Sequence, residues 1–261
     1  MNSAFGLIAL FLAAGIFLGM VAVIEVGRRL GAVRLAKNPE GLAKGIGASE
    51  GAVFGLLGLI IAFTFSGAAS RFEARRHLIT EEANDISTAF LRIDLLPEDA
   101  RPELRNLFRR YLDFRLSTYA NVEDQSATEA SIAQAAKLQD MIWAKAIAAT
   151  RRPDVTGRPE VLLVPALNAM FDITTTRKAA TLNHPPLPIF LLLGGLSLVA
   201  SLLVGYGISE NKHRIWLHAF VFAAITSLSI YVIIDLEFPR LGLIRVDAAD
   251  QLMIDLRKSM N

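Results

Sequence analysis

The sequence predicts an all-α integral membrane protein, with four transmembrane helices and a helical extramembrane domain between the second and third. Three observations predict it. Residues 1–24, 51–70, 179–209 and 215–234 contain no Asp, Glu, Lys or Arg, and each reaches the ~20 residues a helix needs to cross a ~30 Å hydrocarbon core. Between the second and third runs the chain is charged and carries apolar residues at helical spacing. No segment alternates with period 2 over a sustained length, and the runs are too long for barrel strands of about ten residues.

The first span is expected from Phe5 to Ile24, with Glu25 at its end and Arg28 and Arg29 following. It lacks a basic leader and exceeds the usual apolar length of a cleaved signal, so it is read as a retained anchor. Residues 25–50 are expected to form a basic connection through Arg28, Arg29, Arg34, Lys37 and Lys44, broken by glycines and Pro39. The second span is residues 51–70. No Gly or Pro interrupts residues 68–96, so this helix is predicted to run on out of the membrane and stop before Pro97.

Pro97-Glu98-Asp99 reads as a helix start. Leu104, Phe108, Tyr111, Leu112, Leu116 and Tyr119 then recur at helical spacing, as do Leu138, Ile142, Ala146 and Ala149, with Trp143 assigned to the domain core. A turn-rich loop at residues 151–159 precedes a helix at roughly 160–181. Residues 187–208 and 215–234 form the third and fourth spans, joined by a short hinge at 209–214 that makes them an antiparallel hairpin. Residues 247–259 read as a surface helix. The organisation is thus 1–70, first two spans with their basic loop; 71–186, helical domain; 187–234, last two spans; and 235–261, C-terminal tail.

Composition excludes several functions. The 261 residues are 53% hydrophobic and 20% charged, with a mean hydropathy of +0.42. A net charge of +2 offers no basic surplus for nucleic acid. There is no cysteine, hence no disulfide, thiolate metal site or Cys nucleophile. His77, His184, His213 and His218 never fall at i,i+4, the spacing a helical zinc site needs. With no Ser/His/Asp grouping and no nucleotide loop, the reading is of a protein that is not an enzyme and takes no cofactor and no metal.

The second span has two different faces. Leu56, Leu59, Ile60, Phe63, Gly67 and Ser70 share a bulky sector; Gly51, Gly55, Gly58, Ala62, Ser66 and Ala69 share a small one. Small residues permit close helix approach. Asp235 and Glu237 end the fourth span, where the helix dipole disfavours acids, so a compensating base is expected.

Gly55-Leu56-Leu57-Gly58-Leu59-Ile60-Ile61-Ala62-Phe63 followed by Ser70-Arg71-Phe72-Glu73-Ala74-Arg75-Arg76 resembles the second transmembrane helix of bestrophins. His184-Pro185-Pro186-Leu187-Pro188-Ile189-Phe190 is similar to that family's proline-rich approach to its third span. Asp235-Leu236-Glu237-Phe238-Pro239-Arg240-Leu241-Gly242 is similar to its acidic exit from the fourth. The likeness runs from about Gly51 to the C-terminus and places the chain among bestrophin-like bacterial membrane proteins of unassigned function. Three places depart from the family: its polar stretch before the aromatic-Arg motif is here Thr64-Phe65-Ser66-Gly67-Ala68-Ala69, its Pro-Phe-Gly is opened to Pro239-Arg240-Leu241-Gly242, and no acidic cluster like the calcium clasp of animal bestrophins follows the fourth span. Calcium gating is therefore not implied.

The resemblance implies a homo-oligomer, a pentamer, in the bacterial plasma (inner) membrane, passing small inorganic ions through a pore lined by the second helix. Leu56, Leu59, Ile60 and Phe63 would form its neck, and Ser70, Arg71, Arg75 and Arg76 its mouth. Glu73, Asp235 and Glu237 would make structural ion pairs, and by analogy with the family's acidic exit Arg75 or Arg76 would be the base that compensates the end of the fourth span. Bases near the span ends divide evenly between the two sides, so charge does not orient the chain. The family topology puts the helical domain and both termini in the cytoplasm. The expected partners are further copies of the chain, the lipid bilayer and inorganic ions. Two rival readings are a non-conducting membrane scaffold or signalling protein, and a proton-driven stator-type subunit.

Overall fold

The computed structural model describes residues 3–37, 46–120, 124–210 and 216–260. The described residues contain helices and no strand: α1 (Ser3–Lys37), α2 (Ile46–Arg92), α3 (Arg101–Ala120), α4 (Gln125–Thr150), α5 (Glu160–Leu182), α6 (Leu187–Gly207), α7 (Trp216–Glu237) and α8 (Asp247–Ser259). Among the described residues, four helical stretches are long and apolar enough to cross a membrane, as the charge-free runs predict. The basic-loop residue Lys44, with Pro39, and the hinge residues Lys212 and Arg214 lie outside the described residues.

Residues 1–72 and 184–244 form one compact unit, and residues 73–183 with 245–261 form a second. Helix α2 contributes to both. The sequence reading treats residues 235–261 as a separate tail; in the structure α8 is part of the second unit.

In the first unit α1 corrects the expected boundary. It does not stop at Ile24 but continues to Lys37. Glu25 takes Arg28 Nε at 2.7 Å and Arg29 Nε at 2.8 Å, one turn on, so the charges read as a loop are satisfied within the helix. The glycines that seemed to break this segment are contact residues. A Cβ on Gly27 would strike the backbone of Leu202, one on Gly31 would strike Ser209 and Tyr206, and one on Gly205 would strike Ile24. Lipid gives helices no hydrophobic drive to associate, so close approach at small residues is what holds such pairs. Met20 and Ile24 bury against Ala219 and Ala223 of α7, with Phe17 and Phe222 beside them. A second cluster joins Leu57 and Ala68 of α2 to Leu193 and Ala200 of α6 and Ile230, Ile233 and Leu236 of α7.

The second unit has a conventional apolar core. Ile79, Ile86 and Ile93 of the α2 segment and its following turn, Leu104, Phe108, Tyr111 and Leu112 of α3, Ile142 of α4, and Leu163, Leu167 and Met170 of α5 are buried. Trp143 is a correction: it stands one position off the buried stripe of α4, is partly exposed, and sets its ring 6.4 Å from Phe171. Helix α8 lays Ala249 and Met253 inward, and Arg257 Nε donates to Asp113 Oδ1 at 2.7 Å.

One charged residue interrupts this core. Glu82 is fully buried and meets two guanidiniums: Arg115 Nε at 2.6 Å, and Arg177, which also reaches it through Nη1. Tyr119 completes the group, its ring 4.1 Å from the Arg177 guanidinium carbon and its hydroxyl accepting from Arg115 Nη2 at 2.6 Å. Glu82 lies ~18 Å along the helix beyond Ser70, well clear of the charge-free run. Burial alone would raise its carboxyl; Arg115 and Arg177 overcome that and hold it below the ordinary carboxylate value.

Removing the carboxylate would leave two buried cations unmet. Glu82→Ala is expected to cost ~3–5 kcal/mol, read as a large drop in thermal midpoint or loss of folded protein. The lowered carboxyl contributes stability above its unfolded value of ~4.3, and that contribution is lost as pH falls through the folded value. Midpoints should change little through this group from pH 7 to 5 and fall below about pH 4, a decline the Glu82→Gln variant should not share.

Candidate functional site

The membrane part of α2 has three sectors. Leu57, Thr64 and Ala68 point into the chain's own bundle, with Val53, Phe54, Ile60 and Ile61 partly buried around them. Thr64 sits in this apolar contact because its hydroxyl donates back to the carbonyl of Ile60, one turn earlier. The bulky sector is the opposite case. Leu56 and Leu59 are about half exposed and Phe63 is 67% exposed, with Ser70 exposed on the same side. The small sector is uncovered at its glycines, where among the described residues a Cβ on Gly51, Gly55 or Gly58 would meet no neighbouring atom, while Ala69 packs partly on the chain's own cluster. Of the four expected neck residues, Ile60 alone leans into the chain's own core cluster. It stands at the edge of the bulky arc, within reach of the helices behind.

Ser70, Arg71, Arg75 and Arg76 follow, and the structure separates their roles. Arg71 Nε donates to Glu237 Oε1 at 2.8 Å. Arg75 is buried and caps the C-terminal end of α5, with Nε donating to the Ala180 carbonyl at 3.1 Å and Nη2 to that of Asn183 at 2.9 Å. A cation there complements the helix dipole. Arg76 is exposed and pairs with Glu73 Oε1 at 2.8 Å along the helix surface. Arg71, one turn before the two residues named from the sequence, thus supplies a base at the acidic end of α7.

Asp235 is the correction among the expected ion pairs. Its carboxylate, fully buried, takes backbone amides: Leu243 N–H at 2.9 and 3.1 Å and Ile244 N–H at 2.7 Å. The turn at residues 238–242 folds back over the helix end, with Leu241 N–H donating to the Phe238 carbonyl at 3.0 Å. Gly242 makes this possible, because a Cβ there would overlap the Asp235 carboxylate. Glu237, also buried, has His184 Nδ1 3.3 Å from Oε2, and the His184 ring stacks on Phe238 at 4.8 Å.

Sequence reasoning missed His184, Gly242 and the Glu82 group. The signals were present: an acid on the buried Ile79–Ala83–Ile86 stripe of α2, and a glycine seven residues after a buried acid. No group of three or more His, Cys, Asp or Glu suited to a metal occurs among the described residues.

Gly242→Ala should displace the Asp235 carboxylate from its amides, at a cost of ~1.5–3 kcal/mol for charge-assisted hydrogen bonds. The expected result is a clearly lower melting temperature in detergent. Leu243→Ala, which truncates an exposed side chain beside the same turn and keeps the amide that Asp235 accepts from, should melt within about 0.5 kcal/mol of the parent. Equal melting of Gly242→Ala and the parent would refute the collision.

A family model of the Bestrophin-like domain matches residues 9–250. No curated protein matches the chain. Two crystal structures of a bacterial bestrophin homolog from Klebsiella pneumoniae, each carrying one substitution, share its fold. One superposes with a TM-score of 0.69 at 16% identity, covering 97% of each chain. The other gives 0.65 at 12% identity, covering 92% of this chain and 98% of that one. The match spans nearly the whole chain, all four candidate spans and the helical unit between them, and the protein therefore belongs to the Bestrophin-like family.

Proposed function

We propose that the chain assembles as a homo-oligomer, a pentamer, and conducts small inorganic ions down their gradients through an axial pore lined by α2. One observation carries this reading: α2 buries Leu57, Thr64 and Ala68 against its own chain while leaving Leu56, Leu59 and Phe63 uncovered. A lone four-span bundle has no need of a helix with one dedicated apolar sector and one adjoining small sector. Around a symmetry axis, the small sector admits the neighbouring helix and the bulky one forms an apolar constriction. Membership of a family of channels supports the same assignment.

In this reading Leu56, Leu59 and Phe63 form the neck, with Ile60 buttressing it from behind. Ser70, Arg71, Arg75 and Arg76 follow the neck along α2 as the mouth residues, with Arg71 held by Glu237 and Arg75 by the end of α5. The work is physical rather than covalent. A short apolar ring excludes water, so an ion crossing it must shed solvation, and passage depends on the width and wetting of the ring. The site needs no cofactor. The protein resides in the bacterial plasma (inner) membrane with the helical unit in the cytoplasm.

The test is single-channel current and liposome flux of pure protein. Phe63→Ala and Leu59→Ala should each raise current severalfold with the oligomer intact. Unchanged or lower current together with marked destabilisation would show that these side chains pack between helices, and absence of any flux from an intact oligomer would favour a scaffold. Monomer alone in nanodiscs would overturn both channel and stator readings.

Orientation is tested with a single cysteine in this cysteine-free chain. Asp124 caps α4 through the Ala127 amide, so exposed Lys137 is the better position. Lys137→Cys should resist a membrane-impermeant thiol reagent in whole cells and react after lysis; reaction in intact cells would invert the topology.

A further inference from the structure

Residues 25–37 continue α1 past its charge-free run. At ~1.5 Å per residue they lengthen the helix by about 20 Å, and because Gly27 and Gly31 pack beside Leu202 and Tyr206 near the end of the third span, they run from the edge of the acyl region into the headgroup layer. One face of this extension is fixed, with Gly27 and Gly31 against the α6 backbone near Leu202 and Tyr206. The opposite face is amphipathic. Val26, Leu30 and Val33, each at least half exposed, form an apolar stripe at i, i+4, i+7 spacing. Lys37 continues the stripe, and Arg29 and Arg34 flank it on opposite sides; all three bases are exposed. Glu25 is the acid of this extension, and Arg29 keeps 74% of its side chain accessible while bonded to it.

We propose that this face binds anionic phospholipid, with Val26, Leu30 and Val33 against the acyl boundary and Arg29, Arg34 and Lys37 on headgroup phosphates. An apolar stripe flanked and ended by bases suits a helix leaving the acyl region, where Arg and Lys side chains snorkel to headgroup phosphates. Charge complementarity selects the occupant. Protein packed on this face would have to desolvate three cations and meet each with an acid, whereas phosphates at an anionic bilayer surface meet them while still hydrated. A zwitterionic surface supplies no net charge to match.

Native mass spectrometry of the full-length protein, titrated with phosphatidylglycerol or phosphatidylcholine, tests this, with melting temperature as a second readout. Phosphatidylglycerol should be retained preferentially and raise the melting temperature, and the preference should shrink at high salt. Arg29→Gln, Arg34→Gln and Lys37→Gln should each weaken retention about fivefold, and the triple variant should abolish the preference with oligomer mass unchanged. If the triple variant fails to express, the three single variants decide. Equal retention of both lipids, or an unaltered preference in the variants, overturns the proposal. So does a variant oligomer that dissociates with its lipid preference intact, because the face would then belong to a neighbouring copy.

Discussion

A carboxylate taken out of water costs several kcal/mol unless its charge and lone pairs are met, and this chain buries Glu82, Asp235 and Glu237 almost completely. Each is met differently, and each solution fixes a local architecture. Glu82 draws two arginines from α3 and α5 onto α2, so the three helices of that unit share one electrostatic centre. Asp235 takes amides from its own exit turn and thereby forces residues 238–244 to fold back over the end of α7. Glu237 joins Arg71 of α2 to His184 at the approach to α6. None is replaceable by a neutral group without stranding its partners.

Apolar packing plays a different part in the two units. In the second unit, water drives Phe108, Tyr111 and Ile142 inward. In the first, lipid is as apolar as leucine, and association rests on contact distance and on polar groups at the span ends. Gly27, Gly31 and Gly205 let α1 and α6 touch backbone to backbone. Gly51, Gly55 and Gly58 have the same chemistry, but a Cβ on any of them would meet nothing among the described residues. The same residue type thus closes an internal contact on α1 and leaves an open one on α2, where the proposed assembly places the next copy.

The arginines after the second span show how position outweighs identity. Arg71, Arg75 and Arg76 lie within two turns of one helix, yet one neutralises a buried acid, one caps another helix and one lies on the surface. Any reading that treats them as three equivalent charges around a pore misses that two are already engaged in holding the helix ends.

Four charge-free runs, the helical spacing of residues 104–119 and 138–149, and the stop before Pro97 were legible because hydropathy and periodicity are local properties of the chain. The likeness of residues 51–76, 184–190 and 235–242 to bestrophins was legible for the same reason. The phase of α2 was not. A helix apolar on every side carries no signal for which sector meets its own bundle, so the burial of Leu57 and Thr64 and the exposure of Phe63 had to come from packing. Nor was the pairing of Arg71 with Glu237 legible. Arg71 is 166 residues away, and Arg75 and Arg76 were equally plausible by charge and sequence. The end of α1 failed for a related reason: glycine breaks a helix in solution but joins two helices in lipid, and only the neighbour at Leu202 decides which.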